Sequence, residues 1–416
     1  MLQDTYTTIS ACRGCGASQL TQRYDLGDCY LSDFPRPAQK LSSAPLQILT
    51  CDSCGLAQLG ATVRRDLLFK DQYWYASGIN GTMREELRQV VRRARQFVPV
   101  HDGDWVLDIG ANDGTLCRAW RDHLWEGRPF RIAVEPAQTF RESLRDAAEM
   151  ILVEPFPSMS LAANFTGRLQ VITSIAMFYS VDPLGPFIEQ VKALLAPKGV
   201  WVIQWQDLLQ MLTQNAVDNI CHEHVCYFSF RTLCETLERY GLDVVHAERT
   251  PINGGSLRVF VKHAPQPCSP KAANLLRAEA RMEYLPFPFW NDFEARVARQ
   301  IDHLQQTVAH AYDQELTVDL LGASTKGNTL LQLAGLGPAL IRQAWERHPQ
   351  KVGRQTITGI PIVHEEEGRR VPPDLLVCPI WQFRDGLIER EHEYLLSGGK
   401  IYFPLPNGEL YMGGKG

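Results

Sequence analysis

Between residues 80 and 262, short apolar runs alternate with longer segments in which apolar positions recur every three or four residues. Glu85–Phe97 has this helical period and carries several basic side chains. The apolar runs that we predict to be buried strands are Trp105–Ile109, Arg131–Glu135, Val171–Ser174 and Val200–Gln204. Because strands that alternate with helices usually join into a parallel sheet, this stretch predicts an α/β domain.

The segments on either side have different patterns. Residues 1–65 are rich in turn-forming residues and show little helical periodicity, whereas a proline-rich stretch at 264–290 is predicted to hold one short helix. A long helix follows at Asn291–Gln314. Four apolar runs then predict a second small α/β sheet: Thr317–Leu321, Ala339–Ala344, Leu375–Cys378 and Lys400–Phe403. We therefore predict three domains, at 1–65, 66–262 and 263–416, a number that suits a chain of 416 residues.

The composition is that of an ordinary globular enzyme, with 45% hydrophobic and 21% charged residues. A net charge of -5 gives no electrostatic reason to expect a nucleic-acid or membrane partner. The polar first ten residues lack the pattern of a signal peptide, and no apolar run is long enough to cross a bilayer. We expect a cytoplasmic protein that is a monomer or a weak oligomer.

Four of the eleven cysteines form two close pairs, Cys12 with Cys15 and Cys51 with Cys54. An odd number of cysteines in a large chain argues against a secreted disulfide framework. Two such pairs supply the four thiolates of a tetrahedral zinc site. A redox pair or plain buried cysteines are the alternatives. Since the pattern leaves no open coordination position, we predict a structural zinc ion.

The strand Trp105–Ile109 runs into a glycine-rich turn that precedes a predicted helix, and an acidic residue follows the next strand. The turn lacks the spacing Gly-x-Gly-x-x-Gly of a pyrophosphate-binding loop. A dinucleotide dehydrogenase and a domain without a cofactor are the alternatives. The pattern resembles motif I of class I (Rossmann-like) S-adenosylmethionine-dependent methyltransferases. The resemblance implies that the turn binds the methionyl part and that the acid binds the ribose. The cofactor-binding residues predicted here are Asp108, Gly110, Asn112, Gly114 and Glu135.

Two further cofactor contacts are predicted only from their order along the chain. Phe156, in Glu154–Phe156, occupies the place where such methyltransferases have residues beside the adenine. Ser174 ends the predicted strand Val171–Ser174 and is expected on the methyl-donor side.

Asn219–Phe228 is the densest group of ionisable side chains in the chain and includes His222, Glu223 and His224. Three interpretations are open. A metal site would need a different spacing, because His-Glu-His does not place two imidazoles on one helical face. A buried structural histidine is the second interpretation. General acid–base catalysis is the third, since imidazole titrates near neutral pH and an adjacent carboxylate can orient it.

Taken together, the motifs resemble the sugar C-methyltransferase family typified by the 3-C-methyltransferases of deoxysugar antibiotic pathways. The motifs that carry the resemblance are the two cysteine pairs, Tyr73–Gly78, Asp108–Gly114, Glu223–His224, Asn253–Arg258 and Gly322–Thr329. It implies that His224 is the catalytic base, that Glu223 supports the site and that Tyr75 lies at the sugar. His222 is expected to be at most a supporting residue, and Tyr73 and Asn253 are expected to contact the substrate.

The family resemblance implies methyl transfer to a sugar carbon, C3, of a nucleotide-linked 4-keto-6-deoxyhexose. A proton at C3 is acidic because its loss gives an enolate, which then attacks the methyl group. This chain departs from the family at two positions. Cys221 stands where some members have tyrosine, and Asn253 stands where many have histidine.

The C-terminal part contains another strand–turn–helix at Leu320–Asn328, and small residues with a lysine at a helix N-terminus suit a phosphate. A simple tight connection is the alternative. In the family this domain closes over the nucleotide-sugar. The predicted substrate-binding residues here are Ser324, Lys326, Asn328, Lys351, Arg354, Trp381 and Arg384. The sequence gives no preference among TDP, GDP and CDP.

Two other functions compete with C-methylation. An O- or N-methyltransferase of a small acceptor would need only the middle domain. A catalytically silent nucleotide-sugar-binding protein would keep the fold without the chemistry, but the intact turn at Asp108–Gly114 and the Glu223–His224 pair argue against it.

Overall fold

The computed structural model describes residues 5–69, 73–121, 127–283 and 288–413. The N-terminal part contains strands β1 (Tyr6–Thr8), β2 (Leu20–Tyr30), β3 (Ser43–Cys51), β4 (Ala57–Leu59) and β5 (Ala61–Val63), then helix α1 (Arg65–Leu68). Strands β2, β3 and β4 form an antiparallel sheet, and β1 pairs with β5. In β3, Ala44, Leu46 and Ile48 are buried while their neighbours are more exposed, which is the period of a strand with one covered face.

The middle part is a doubly wound α/β unit. Its strands are β6 (Trp105–Ile109), β7 (Phe130–Val134), β8 (Met150–Leu152), β9 (Leu169–Ile175), β10 (Leu195–Gln206), β11 (Cys226–Tyr227), β12 (Leu242–Thr250) and β13 (Ser256–His263). Its helices are α2 (Gly81–Ala94), α3 (Thr115–Ala119), α4 (Arg141–Leu144), α5 (Met159–Phe165), α6 (Leu184–Leu194), α7 (Leu208–Thr213) and α8 (Phe230–Glu238).

Seven of these strands form one sheet in the order β12-β13-β10-β9-β6-β7-β8. Strand β13 is antiparallel to both of its neighbours, and the other pairs are parallel. Alternate residues of a strand therefore reach opposite layers. Val171 packs with α2, whereas Ile172 packs with α6. The chain turns in opposite directions from β6, toward β7 on one side and β9 on the other, and such a switch point opens a crevice at the carboxyl ends of the strands.

The short strand β11 is not part of this sheet and pairs instead with β4 of the N-terminal part. Its two residues extend the N-terminal sheet to the order β11-β4-β3-β2. The segment around residue 226 is therefore shared between the first two parts of the chain. Its position depends on the fold of the N-terminal sheet.

The C-terminal part has helices α9 (Pro270–Glu283), α10 (Pro288–Asp313), α11 (Thr325–Leu333), α12 (Glu365–Gly368), α13 (Arg384–Arg390) and α14 (His392–Leu396). Its strands are β14 (Val318–Leu321), β15 (Ala344–Glu346), β16 (Ile362–His364), β17 (Leu375–Val377), β18 (Lys400–Phe403) and β19 (Glu409–Met412). They form a six-stranded sheet in the order β16-β15-β14-β17-β18-β19, parallel except for β19. Its switch point lies at β14.

The predicted strands Trp105–Ile109 and Lys400–Phe403 have the observed bounds. The predicted strand Ala339–Ala344 is wrong, because β15 only begins at Ala344. The residues before it form a tight turn in which the amides of Leu340 and Ile341 both bond to the carbonyl of Gly337. Within the described ranges, no helix combines the length and apolarity required to span a membrane.

Candidate active site

The two cysteine pairs meet in the N-terminal part. The four sulfur atoms lie within 4.8 Å of one another, with 3.6 Å between Cys12 and Cys54 and 3.5 Å between Cys15 and Cys51. Tetrahedral zinc with Zn–S bonds near 2.3 Å separates its sulfurs by about 3.8 Å, so the four thiols fit this ion. Both pairs end in a glycine with positive φ, and the amide of that glycine bonds back to the first cysteine of its pair.

A cavity of about 570 Å³, here called the inner cavity, opens at the switch point of the seven-stranded sheet. Asp108, Gly110 and Glu135 line one side of it, and His224 also lines it. This volume is typical of a cofactor site. The glycine-rich turn and the histidine cluster, which are more than one hundred residues apart in sequence, therefore face the same space.

Two buried carboxylates form the polar side of the inner cavity. The Oδ1 of Asp108 accepts a hydrogen bond from the Thr173 hydroxyl at 2.6 Å, and burial raises the pKa of Asp108 to about 7 despite that bond. The oxygens of Glu135 accept the amides of Asn112 and Ala137 at 2.8 and 2.9 Å. Burial also raises the pKa of Glu135. A cationic amino group beside Asp108 and ribose hydroxyls beside Glu135 would compensate for the burial of these acids.

The turn needs glycine at two positions for different reasons. Gly110 has a φ of 75° and lines the inner cavity, and a Cβ there would lie 3.0 Å from the Cγ of Met177. Gly114 has a φ of 82° and precedes α3, where a Cβ would lie 2.5 Å from that of Ala147. Gly114 does not line the inner cavity, so its role is to let the turn pack closely.

Phe156 and Ser174, the two cofactor contacts predicted from their order along the chain, differ in whether they line the inner cavity. Phe156 lines the inner cavity and packs edge-on against Phe187. Ser174 is fully buried and accepts a hydrogen bond from the Trp201 ring at 3.1 Å, so it lies outside the inner cavity. The cavity wall after β9 is instead formed by Ala176 and Met177.

His224 is oriented by one short hydrogen bond. Its Nδ1 lies 2.8 Å from the carbonyl oxygen of Asn219, and its ring stands edge-on to Tyr179 with centroids 4.3 Å apart. A carbonyl only accepts, so Nδ1 carries the proton and Nε2 has the free lone pair. Burial and the charge of Lys326 lower the pKa of His224 to about 3, although the Asn219 carbonyl opposes the shift. The imidazole is therefore neutral at physiological pH.

The side chains of His222 and Glu223, which precede His224, do not line the inner cavity. His222 is 2% exposed, and its Nε2 bonds to the Ala44 carbonyl of β3 at 3.0 Å, so this side chain anchors the segment to the N-terminal sheet. Glu223 is partly buried, and burial raises the pKa of its carboxyl group. It lines neither the inner cavity nor the larger one described below. Of the three clustered side chains, only His224 reaches the cavity.

The segment Tyr73–Tyr75 lies beside the turn of the inner cavity. The side-chain amide of Asn112 donates to the Tyr75 carbonyl at 2.8 Å and accepts from the Ser77 amide at 2.9 Å. Tyr73 lines the inner cavity, and Tyr75 lines both this cavity and a second one. Tyr75 is therefore at the boundary where a molecule in one cavity meets a molecule in the other.

The second space, here called the outer cavity, has a volume of about 1040 Å³ and lies at the carboxyl end of β14. Ser324, Lys351, Trp381 and Arg384 line it, as predicted for substrate-binding residues. Its lining includes five arginine or lysine side chains, Arg249, Arg347, Lys351, Arg384 and Arg390. Four of them are ion-paired with carboxylates: Arg249 with Asp207, Lys351 with Glu346, Arg384 with Asp385 and Glu409, and Arg390 with Glu365 and Glu391.

Four predicted substrate residues lie elsewhere or have partners already. Asn328 is buried between the carbonyl of Asp33 and the amide of Ile357. The guanidinium of Arg354 lies over the Trp74 ring at 4.6 Å. Neither residue lines either cavity. Asn253 and Lys326 line the inner cavity rather than the outer one.

Sequence reasoning missed several residues that build the site. Arg249 lines the outer cavity and is held by the fully buried Asp207, which accepts from it at 2.8 Å. The buried Arg258 bonds to Glu86, Glu248 and Gln204, and so ties α2 to the sheet. The one sequence signal for these contacts is an arginine within a predicted apolar strand region. Most of the partner residues lie far away in sequence, so the pairing itself could not be predicted.

The seven-stranded sheet, the acidic turn and the cysteine cluster define an S-adenosylmethionine-dependent methyltransferase with a structural zinc ion. Residues 80–247 match the sequence model of a methyltransferase domain, residues 12–69 that of a zinc-binding domain, and residues 251–406 that of a C-methyltransferase C-terminal domain. The three matches lie in the order expected for C-methyltransferases that carry an N-terminal zinc-binding domain, and with the relative described next they confirm the resemblance predicted from sequence.

Among known proteins, the C-methyltransferase NovU of Streptomyces niveus is 27% identical over 419 residues, covering 97% of both chains. A methyltransferase of Haloferax volcanii, solved with its activator, aligns with 45% of this chain and 95% of its own at 17% identity and a TM-score of 0.37. A protein of Pyrococcus horikoshii OT3 aligns with 46% of this chain and 95% of its own at 13% identity, also with a TM-score of 0.37.

Binding of S-adenosylmethionine is expected to weaken about fivefold when the pH falls from 7 to 6. The pKa of Asp108 is raised to about 7, so below pH 7 the carboxyl gains a proton and loses its attraction for the ammonium group of the methyl donor. Above that range the donor's own amino group begins to titrate. Calorimetric titrations at both pH values measure the effect. An Asp108→Asn variant that showed the same fivefold change would contradict the assignment.

Proposed function

We propose that this enzyme transfers the methyl group to a carbon next to the ketone, C3, of a nucleotide-linked 4-keto-6-deoxyhexose. The observation that carries the proposal is that the donor-side carboxylates Asp108 and Glu135 share the inner cavity with the lone pair of His224. A neutral base facing the methyl donor suits the removal of a proton from carbon.

The residues of the chain divide the work of the reaction. His224 takes the C3 proton at Nε2, while its Nδ1 keeps its own proton and donates it in a hydrogen bond to the Asn219 carbonyl. The pair of electrons from the C–H bond becomes an enolate with its charge on the C4 oxygen. S-adenosylmethionine held beside Asp108 and Glu135 would supply the methyl group from its sulfonium and would depart as a neutral thioether as the new C–C bond formed.

The outer cavity supports the nucleotide part of the proposal. Its five arginine or lysine side chains are of the types that bind a diphosphate, and the largely buried Trp381 forms part of its wall. Tyr75, at the boundary of the two cavities, is placed to meet the sugar between them. The name of the relative NovU supports C-methylation and says nothing of the acceptor.

The proposal is tested with a panel of 4-keto-6-deoxyhexoses linked to TDP, GDP or CDP, each incubated with methyl donor. We expect one of them to gain 14 mass units and to lose the C3 proton signal in NMR spectra. A methyl group found on oxygen or nitrogen would support the competing O- or N-methyltransferase. Donor binding without turnover of any member of the panel would favour a silent binding protein.

A further inference from the structure

Lys326 belongs to the C-terminal part by sequence but lines the inner cavity, in the company of His224. It is the second residue of α11, which begins at Thr325 after the turn that ends β14. Thr325 also lines the inner cavity. The N-terminus of this nine-residue helix therefore lies between the two cavities, with its N-cap Ser324 at the outer cavity and Thr325 and Lys326 at the inner one, where the base acts.

The surroundings of Lys326 hold a cation close to the base. Its Nζ donates to the Oε1 of Gln206, at the end of β10, at 2.9 Å. Burial lowers the pKa of Lys326, and the nearby carboxylate of Asp218 opposes that change. The same ammonium group is one of the causes that lower the pKa of His224. Lys326 is therefore close enough to His224 to influence its protonation.

An ammonium group beside a catalytic base serves proton removal only if a negative charge develops nearby. Enolate formation creates that charge on the ketone oxygen, next to the carbon that loses its proton. An ammonium has three donors, of which one is used by Gln206, so others remain for an incoming oxygen. A fixed cation in a buried site stabilises such a charge more than water does.

We propose that Lys326 is a catalytic residue that donates a hydrogen bond to the acceptor's ketone oxygen and stabilises the enolate. The inference rests on the proposed function and adds the group that receives the developing charge. The C–H bond breaks, its proton passes to Nε2 of His224, and its electron pair delocalises onto the oxygen facing Lys326. When the carbon bonds to the methyl group, the carbonyl re-forms and Lys326 keeps its proton throughout.

This role differs from phosphate binding, which the turn before α11 suggests when sequence alone is considered. The outer cavity has its own cationic side chains, Lys351 and Arg249, each paired with a carboxylate, whereas Lys326 lines the inner cavity. A phosphate ligand would mainly change the KM for the nucleotide-sugar. An oxyanion ligand would mainly change kcat, because the charge exists only after proton removal.

The test compares Lys326→Met with the wild type and with Lys198→Met, a substitution at an exposed lysine that lines neither cavity. For Lys326→Met we expect kcat to fall by about 10²- to 10³-fold with little change in donor binding. Exchange of the C3 proton with D₂O, measured without methyl donor, should slow by a similar factor. The pKa of His224, followed by NMR, should rise in the variant because the neighbouring cation is gone.

Lys326→Gln is measured in parallel, since it keeps a donor for Gln206 if the methionine variant does not fold. A folded variant of either kind with wild-type kcat and exchange rate would overturn the proposal, and a change confined to KM would assign Lys326 to phosphate binding instead. The proposed function fails separately: the wild type itself would then show no C3 exchange and no C-methylated product with any sugar of the panel.

Discussion

Replacing His224 with asparagine is expected to lower the rate of C-methylation by about 10²- to 10⁴-fold. The asparagine amide can replace Nδ1 in the bond to the Asn219 carbonyl, so the loop keeps its anchor while the cavity loses its base. Donor binding should stay within about twofold, because Asp108 and Glu135 hold the opposite side of the cavity. Single-turnover assays with the sugar identified by the substrate panel measure the chemical step.

His310→Asn provides the matched control, since His310 is exposed on α10 and lines neither cavity. It should keep the wild-type rate. C3 proton exchange without methyl donor should disappear in His224→Asn and persist in His310→Asn. Retention of near wild-type turnover by a folded His224→Asn enzyme would show that another group is the base.

Removal of the zinc ion is expected to abolish methylation and to unfold the N-terminal part, although the ion does no chemistry itself. Structural zinc contributes about 10–16 kcal/mol in small zinc-binding peptides, which is comparable to the whole net stability of a typical domain, about 5–15 kcal/mol. Unfolding of the N-terminal part would also displace His224. The strand β11, which follows His224, pairs with β4, and β4 directly follows the second cysteine pair. The Leu59 amide bonds to the Val225 carbonyl at 3.0 Å, and His222 bonds to the Ala44 carbonyl.

The measurement combines zinc analysis, thermal unfolding and donor calorimetry on Cys51→Ser and on the chelated wild type. We expect an early unfolding transition and lost turnover, with donor binding partly retained by the seven-stranded sheet. Cys268→Ser is the control, since Cys268 is exposed and lies outside the cluster. Full activity and unchanged unfolding in a zinc-free sample would contradict the dependence of the base on the metal.

The parts of the site that depend on local sequence could be predicted. The acidic turn after β6 is one continuous segment, and hydrophobic patterning around it is enough to place Asp108 and Gly110 at the carboxyl end of a strand. The cysteines could be paired because metal geometry restricts their spacing. The structure brings these groups to the positions that the pattern favours.

Other features depend on contacts between distant segments, which a single sequence does not contain. His222 and His224 are two residues apart, yet one faces the N-terminal sheet and the other faces the inner cavity. The Ser174 side chain is buried within the sheet, where its hydroxyl accepts a hydrogen bond from the ring N–H of Trp201. Lys326 lies at the inner cavity because the C-terminal part packs against the end of β10. There the side-chain oxygen of Gln206 accepts a hydrogen bond from the Lys326 Nζ.

Exchange of C-terminal domains between related enzymes is an obvious way to alter the acceptor. The shared inner cavity restricts where such chimaeras can be joined, because the incoming domain has to supply the lysine at the start of α11. It also has to seat Trp381 against Gly254, where a Cβ would come within 2.5 Å of the ring. A functional hybrid therefore needs complementary contacts between its two domains as well as the desired binding preference. The same requirement restricts how the acceptor range of these enzymes can evolve.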